Sequence, residues 1–349
     1  MASALAAVAG KTVTVVGGGT GLSGVLRGLK GLTAAGGGDG LSGLFGVVTV
    51  TDDGGSSGRL RRELGIPPPG DIRNCLAALA DDEDLLTRLF QYRFANGDGL
   101  SGHSFGNLFL AALTGVTGDF YQAVLTAEEV LSVRGKILPA TLTDVHLRGR
   151  GRSGRIYRGE VAVGRSGEAL ADLELEPEAP PAFPAAVAAL EGADLILLGP
   201  GSLYTSILPN LLIPGIREAM RRSPAPVVLL VNLMTEPGET DGMDALDHLL
   251  AIERHVGPGL IDAVAASTAR PSDDRLSVYA EQGARRVRVD REAIATRGVR
   301  VIERDLLAGG DLIRHDPEAV RALVVELLGE QGPARQGEVG ERESGERAP

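Results

Sequence analysis

Short apolar runs alternate along this chain with longer stretches of helical periodicity, and this alternation constrains the fold more than any other feature. Strands are predicted at 12–16, 44–51, 194–198, 226–232, 260–265 and 286–289. Helices are predicted at about 21–32, 71–80, 82–93, 104–113, 119–132, 184–191, 213–222, 242–255, 272–282 and 316–328. This order is typical of a parallel sheet with crossover helices, and continuous apolar runs suit strands buried on both faces. The sequence therefore predicts an α/β fold.

Texture changes along the chain suggest its organisation. We expect a flexible N-terminus over 1–10, a single α/β domain over 11–330, and a disordered tail over 331–349, which is polar and rich in Gly, Glu and Arg. Residues 143–176 have the pattern of a small β-hairpin insertion that carries several arginines: Arg148, Arg150, Arg152, Arg155, Arg158 and Arg165. This insertion is either an arm that binds RNA or a protein partner, or a solvated edge whose charges block strand pairing. The second interpretation is favoured.

Composition excludes several classes of protein. The formal net charge of −11 argues against a general nucleic-acid or membrane-surface binder. The single cysteine, Cys75, excludes a disulfide scaffold and fits a reducing compartment. We recognise no signal peptide and no run of ~18 apolar residues, so we expect a cytoplasmic protein without membrane insertion.

Glycine makes up 49 of 349 residues, about 14%, against a usual share of ~7%. Ten of these glycines lie where predicted strands end, in loops over 17–21, 52–58, 199–206 and 232–240. The carboxyl ends of parallel strands share one edge of a sheet, so these loops should converge there. Glycine admits close backbone approach, and the N–H groups of a helix N-terminus favour anions, so the loops predict a phosphate-bearing ligand. The candidate contacts are Gly18, Gly19, Thr20, Gly21, Ser56, Ser57, Gly199, Gly201, Ser202, Asn232 and Thr235.

Each loop alone is a weak signal. Residues 19–24 match G-x-G-x-x-G, yet one such loop can equally be a tight turn from strand to helix. A Walker A loop is absent from the sequence. The inference depends on four loops occurring together.

Asp52 and Asp53 end the second predicted strand. Either one binds Mg²⁺ or a ribose hydroxyl, or both serve turn chemistry. Asp71 is predicted as a helix N-cap, and Asn74 can turn inward to the site. The spacing of Ser, His and Asp supports no nucleophilic catalysis, so no catalytic residue is assigned; Asp52 and Asp53 remain the candidates.

Six long motifs resemble a known family. They are V-V-G-G-G-T-G-L-S at 15–23, V-T-D-D-G-G-S-S-G-R-L-R-R-E-L-G at 50–65, P-P-G-D-I-R-N-C at 68–75, G-H-S-F-G-N-L at 102–108, A-D-L-I-L-L-G-P-G-S-L-Y-T-S-I-L-P-N-L-L at 193–212 and V-N-L-M-T-E-P-G-E-T-D at 231–241. The chain is similar over about 12–328 to the YvcK family of gluconeogenesis-factor-like proteins. That family lies within the CofD-like superfamily of 2-phospho-L-lactate transferase.

The resemblance implies a Rossmann-like, doubly wound fold and a nucleotide-sugar ligand, UDP-N-acetylglucosamine or a related nucleotide diphosphate. It also implies a cytoplasmic role in carbon metabolism, cell-wall precursor supply and cell shape, with no required cofactor. By this resemblance the diphosphate lies on Gly18 to Gly21, and Asp52 and Asp53 form the aspartate loop, where Mg²⁺ is a candidate. Tyr279 and Arg314 match positions around the nucleotide or sugar, where Tyr279 either stacks on a base or packs its own helix. This chain has Ala266-Ser267-Thr268 where relatives tend to carry Asn-Asn, which puts the base specificity in question.

Three functions stay open at this point. The first is a non-catalytic regulator that responds to a nucleotide sugar. The second is a transferase of the 2-phospho-L-lactate type that uses a nucleotide diphosphate donor and Mg²⁺. The third is an NAD-binding oxidoreductase, which the G-x-G-x-x-G motif suggests. We expect no nucleic-acid partner; a homo-oligomer is compatible with the sequence, and a protein partner is not identified by it.

Overall fold

The computed structural model describes residues 2–330, apart from 34–39 and 82–84. Its strands are β1 (Thr12–Gly17), β2 (Gly43–Val48), β3 (Lys136–Pro139), β4 (His146–Gly151), β5 (Ile156–Arg158), β6 (Leu170–Glu176), β7 (Leu195–Leu198), β8 (Val227–Leu230), β9 (Ala263–Ser267) and β10 (Arg300–Arg304). Seven of them form one sheet in the order β10-β9-β8-β7-β1-β2-β3, and every neighbouring pair is parallel.

The strand order reverses at β1. From β1 the chain continues through β2 and β3 on one side, whereas β7 to β10 extend the sheet on the other. The loops that follow β1 and β7 therefore diverge, and they leave a crevice at the carboxyl edge, where open α/β sheets bind ligands. The predicted doubly wound, mainly parallel fold is confirmed.

The helices are α1 (Ala2–Ala7), α2 (Gly19–Leu29), α3 (Gly55–Leu64), α4 (Gly70–Leu79), α5 (Leu85–Gln91), α6 (Phe105–Thr117), α7 (Phe120–Val130), α8 (Glu160–Val163), α9 (Pro184–Glu191), α10 (Leu208–Leu211), α11 (Pro214–Arg222), α12 (Ala245–Val256), α13 (Asp273–Glu281), α14 (Arg291–Ala295) and α15 (Pro317–Gly329). A π-helical turn, Leu203–Ile207, precedes α10. Local signals set several helix starts. Proline opens α9, α11 and α15, and Asp244 with Asp247 forms a capping box at α12.

The core lies on both faces of the sheet. All four residues of β7 and of β8 are buried, as expected for strands covered from both sides. Helix α2 buries Leu22, Leu26 and Leu29 and contacts α4 and α15. Among the described residues, no single helix is long and apolar enough to cross a membrane; α6 and α7 meet that test only as a pair, which is bent by 119°.

Both edges of the sheet differ from the prediction. The predicted strand at 286–289 forms only an isolated bridge between Met234 and Arg286, and the edge strand is β10 instead. The other edge strand, β3, was not predicted. Edge strands carry charges and proline, as β10 does with its arginines and β3 with Lys136 and Pro139, and this hides their apolar pattern.

The chain ends compare differently with expectation. The N-terminus predicted to be flexible contains α1, and Val8 just after it is fully buried. The predicted disordered tail, 331–349, lies outside the described residues.

The insertion at 143–176 is a three-stranded antiparallel sheet in the order β5-β4-β6. Within the predicted hairpin, strand β5 ends before Gly159, whose φ of +86° favours glycine, and the chain continues as α8. Across the strands, Arg148 pairs with Glu174 at 2.6 Å and Arg150 with Asp172 at 2.9 Å. These half-exposed ion pairs occupy two of the arginines that the sequence concentrates here.

Candidate ligand-binding site

A cavity of about 550 Å³ opens at the carboxyl edge of the large sheet, beside the point where the strand order reverses. Its volume falls in the range of ~300–1,000 Å³ that small-molecule sites occupy. Three of the four predicted loops line it, namely those that follow β1, β7 and β8. Its polar wall comprises Thr20, Ser23, Arg27, Asn74, Gln91, Asn232, Thr235, Glu236, Tyr279, Gln282, Arg314 and His315.

The loops after β1 and β7 meet too closely for any side chain. A Cβ on Gly21 would lie 2.2 Å from the carbonyl oxygen of Pro200, which is well inside van der Waals contact. Gly24, one turn further along α2, would place its Cβ in open space. The contact requires glycine at position 21 and not at position 24.

The first turn of α2 is shared between the cavity and a protein carboxylate. The N–H of Gly19 donates to the carboxylate of Asp71, and a Cβ on Gly18 would lie 2.7 Å from an Asp71 oxygen. Thr20 and Gly21 line the cavity, whereas Gly18 and Gly19 do not. An anion in the cavity therefore meets the amides of Thr20 and Gly21.

Asp71 is not the helix N-cap that the sequence predicts. Helix α4 begins at Gly70 after Pro69, so Asp71 lies in its first turn, and its carboxylate faces α2. Burial and the neighbouring Asp52 raise the pKa of Asp71 to about 6.

A hydrogen-bonded network joins the loops after β7 and β8. The Gly201 N–H donates to Asn232 Oδ1 at 3.0 Å, and Asn232 Nδ2 donates to the Gly201 carbonyl at 3.0 Å and to Glu236 Oε1 at 3.1 Å. The hydroxyl of Ser202 donates to the other oxygen of Glu236. Burial raises the pKa of Glu236, although these two donors oppose the shift. The network fixes two loops around one carboxylate of the cavity wall.

The wall opposite comes from α13 and the segment before α15. The hydroxyl of Tyr279 accepts a hydrogen bond from the Ile313 N–H at 3.0 Å, next to the exposed Arg314. Burial lowers the pKa of His315 to about 4, so its imidazole is neutral at physiological pH. It bonds to the Val231 carbonyl, and its Nε2 has no hydrogen-bond partner among the described residues.

The fourth predicted loop, 52–58, lies outside the cavity and belongs to a carboxylate cluster, defined by Asp52, Asp53, Asp71, Glu160 and Glu239. Asp53 accepts a hydrogen bond from the Val161 N–H at 3.0 Å, which ties the insertion to this loop. Burial and the surrounding carboxylates raise the pKa of Glu160 to about 9. Glu239 accepts from the Tyr204 and Thr205 N–H groups, and burial with Glu236 raises its pKa to about 8.

This cluster does not form a ready metal site. In the part of the chain that the structure describes, no three His, Cys, Asp or Glu side chains are arranged to hold an ion. Asp52 Oδ1 accepts from the Gly54 N–H at 2.9 Å, and Asp53 Oδ1 is bound to Val161. Magnesium binding at Asp52 and Asp53 stays a prediction.

The structure divides the residues predicted from sequence into two groups. Those that line the cavity are Thr20, Gly21, Asn74, Gly201, Asn232, Thr235, Tyr279 and Arg314. Those outside its lining are Gly18, Gly19, Asp52, Asp53, Ser56, Ser57, Gly199 and Ser202. Ser56 and Ser57 are buried, and both hydroxyls accept hydrogen bonds from the amide of Asn107, so they serve the packing of α3 on α6.

Six polar residues of the cavity wall were missed: the ionisable Arg27, Glu236 and His315, and the neutral Ser23, Gln91 and Gln282. A signal existed for the first, because Arg27 lies seven residues after Thr20, a spacing that returns to the same helix face. Glu236 is the acidic residue at the centre of the loop after β8. His315 directly follows Arg314 and was passed over.

A glycine-lined cavity at the point where a doubly wound parallel sheet reverses its strand order places the protein in the Rossmann-like α/β class. Within that class the chain belongs to the CofD family, whose model, described as 2-phospho-L-lactate transferase CofD, matches residues 13–307.

Relatives support the same placement. The chain is 48% identical over 323 residues to a putative gluconeogenesis factor of Nostoc, which covers 92% of this chain and 69% of the relative. It is 46% identical to the gluconeogenesis factor of Bacillus subtilis, over 91% of this chain and 98% of that one. A crystal structure of a UPF0052 family member from Bacillus halodurans matches with a TM-score of 0.85 and 45% identity, over 90% and 99% of the two chains. The resemblance to the YvcK family is confirmed.

Proposed function

We propose that the cavity binds a nucleotide sugar through its diphosphate, with UDP-N-acetylglucosamine as the specific candidate, and that the chain acts as a gluconeogenesis factor that responds to this ligand. The observation that carries the proposal is the position of the cavity. It lies at the reversal point of the sheet, against the first turn of α2, where Gly21 meets Pro200.

The wall offers a partner for each part of such a ligand. The amides of Thr20 and Gly21 at the start of α2 favour phosphate oxygens, and Arg314 adds a guanidinium that can bind phosphate through two N–H groups. The Glu236 carboxylate suits the hydroxyl groups of ribose or hexose, which are hydrogen-bond donors. The ring of Tyr279 offers a face for the base.

A regulatory role is supported by the relatives and by the wall itself. Relatives that match over most of this chain are named for gluconeogenesis rather than for a reaction. Ser56 and His103 are within 2.9 Å of each other, but neither lines the cavity, so this pair presents no nucleophile to the ligand. We therefore propose that binding, not turnover, is the function, and that the role extends to carbon metabolism, cell-wall precursor supply and cell shape.

Calorimetry tests the proposal. The purified protein is titrated with UDP-N-acetylglucosamine, UDP and UMP, and we expect the two diphosphates to bind and UMP to bind at least tenfold more weakly. The absence of binding at millimolar UDP-N-acetylglucosamine would overturn the proposal. Intact ligand recovered after prolonged incubation supports a signal rather than a substrate.

A second candidate is a transferase, because the family model carries the description of 2-phospho-L-lactate transferase. In that case Asp52 and Asp53 would act near the leaving phosphate. The test is product formation from a nucleotide diphosphate donor with Mg²⁺, by the wild type and by Asp53→Asn. A rate that the substitution leaves unchanged counts against this role of Asp53.

A further inference from the structure

One cation of the cavity wall has no role in the proposed function. Arg27 lies in the last turn of α2, is exposed and lines the cavity. It makes no ion pair or side-chain hydrogen bond with any residue in the described ranges. Other arginines are paired, as the partly buried Arg321 is with Glu318 and the exposed Arg304 is with Glu326.

The geometry of α2 directs Arg27 along the cavity. Thr20, Gly24 and Arg27 fall on one helix face, since residues three and four apart are neighbours there. At 1.5 Å per residue, the backbone of Arg27 lies about 10 Å from that of Thr20. Helical side chains lean towards the N-terminus, so the arginine can reach over Gly24. A Cβ at Gly24 would meet nothing within 4 Å, which leaves that path open.

The charges of the wall are uneven. Glu236, on the loop after β8, is the acidic residue of the lining, whereas Arg27 and Arg314 contribute two guanidinium groups. Pro317 and Val320, from the start of α15, also line the cavity and carry no charge, and Pro317 packs against Gly28, the residue after Arg27. An exposed arginine that has no partner among the described residues is available to an anion that enters the cavity.

We propose that Arg27 binds an anionic group of the ligand, at the end of the cavity away from Glu236. This proposal rests on the proposed function, because it concerns the same cavity. Phosphate and carboxylate oxygens match the guanidinium fork equally well. The group is therefore either the diphosphate, reached over Gly24, or a carboxylate on the sugar beyond it.

Three ligands show whether Arg27 binds the diphosphate or a sugar carboxylate: UDP, UDP-glucose and UDP-glucuronate. UDP-glucuronate has a carboxylate where UDP-glucose has a hydroxymethyl group, and the two are otherwise the same. Each is titrated into the wild type, Arg27→Met, Arg27→Lys and a control, Arg62→Met. Methionine keeps an unbranched apolar stem. Arg62 is an exposed arginine on α3, outside the cavity lining.

If Arg27 binds the diphosphate, Arg27→Met weakens all three ligands about tenfold. If it binds a sugar carboxylate, only UDP-glucuronate weakens, and its advantage over UDP-glucose disappears. In both cases the Met variant depends less on salt concentration than the wild type, and lysine, a point charge without the fork, restores part of the affinity.

Affinities of Arg27→Met within twofold of the wild type for all three ligands would overturn the role of Arg27 and leave the proposed function standing. A wild type that binds neither these three ligands nor UDP-N-acetylglucosamine overturns the proposed function itself. Thermal melts of the variants check folding, which we expect to be unchanged because the side chain is exposed.

Discussion

The cavity and the carboxylate cluster lie at the same edge of the sheet, yet they have opposite electrostatic character. The cavity combines the first turn of α2 with Arg27 and Arg314 against one carboxylate, Glu236. The cluster holds five carboxyl groups, and burial with the four neighbouring carboxylates raises the pKa of Glu160 to about 9. The cavity therefore carries more cations than anions, whereas the cluster brings acidic groups together.

Asp71 stands between the two regions. It belongs to the cluster through Asp52, and it occupies the Gly19 amide beside the cavity. Under the proposed function, a ligand anion would therefore bind at Thr20 and Gly21, away from the cluster. The loops that form the cavity and those that form the carboxylate cluster have similar compositions. Composition alone therefore does not distinguish the two regions.

The largest effect should come from the backbone contact that shapes the cavity. Gly21→Ala places a Cβ 2.2 Å from the Pro200 oxygen, so the loops after β1 and β7 must separate. We expect the free energy of unfolding to fall by about 3 kcal/mol and ligand binding to be lost. Urea denaturation and calorimetry measure both.

Gly24→Ala is the matched control, because its Cβ meets open space. A helical alanine should stabilise it by about 0.5–1 kcal/mol relative to glycine. Equal stability of the two variants would contradict the close contact at Gly21.

Asp71→Asn separates the two regions by charge. The folded pKa of Asp71 is about 6, above the usual value of 3.8, so folding favours its protonated form. The wild type is therefore favoured below pH 4 and loses stability as the pH rises through 6. At pH 8 we expect the variant to be more stable by about 3 kcal/mol, and at pH 4 to come close to the wild type.

Glu160 and Glu239 titrate in both proteins, so the difference between the two unfolding curves reports Asp71 together with its effect on Glu160. Asp98→Asn, an exposed position, serves as the control. A stability difference that does not change between pH 4 and pH 8 would show that Asp71 is not strained by its neighbours. A higher affinity of the variant than of the wild type for a nucleotide diphosphate at pH 8 would further show that Asp71 repels the ligand.

Asn232→Ala tests the polar network of the cavity. The substitution leaves the Gly201 N–H without its acceptor and frees Glu236 from one donor. Since an unsatisfied buried donor costs ~1–3 kcal/mol, we expect stability to fall by about 2 kcal/mol and ligand affinity to fall with it. Denaturation of Asn96→Ala, which removes an exposed amide, gives the baseline. If both variants unfold alike, the network does not join the two loops.

The central fold could be predicted from sequence, and its margins could not. Strands β1, β2, β7, β8 and β9 have apolar runs that only a doubly covered sheet explains. The edge strands β3 and β10 carry charges and proline, so their signal resembles that of loops. The sequence around Gly159 did not indicate that strand β5 ends there and that helix α8 follows.

The parts of the cavity that depend on close backbone contact could be predicted from the sequence, whereas the parts that depend on side-chain contacts could not. Glycine at a strand end identified Gly21 and Gly201, because a close backbone approach requires glycine. The same reasoning placed Ser56 and Ser57 at the ligand, whereas Asn107, fifty residues away, binds both. Asp71 was predicted as a helix cap because it follows proline and glycine. The local sequence does not show that its carboxylate contacts Gly19, which is distant along the chain.

The smallest predicted effect concerns Tyr279, which either stacks on a base or holds the structure. Its hydroxyl accepts from the Ile313 N–H, so Tyr279→Phe should lower stability by about 1 kcal/mol. If the hydroxyl positions the neighbouring Arg314, affinity for UDP falls a few-fold in the Phe variant. If the ring stacks on the base, Phe retains affinity and Tyr279→Leu loses it. Tyr92→Phe, at an exposed ring outside the cavity, controls for loss of a phenol. If the affinity for UDP is unchanged in both the Phe and the Leu variants, Tyr279 does not contact the ligand. The contacts to the ligand would then come from α2, the loops after β7 and β8, and the arginines.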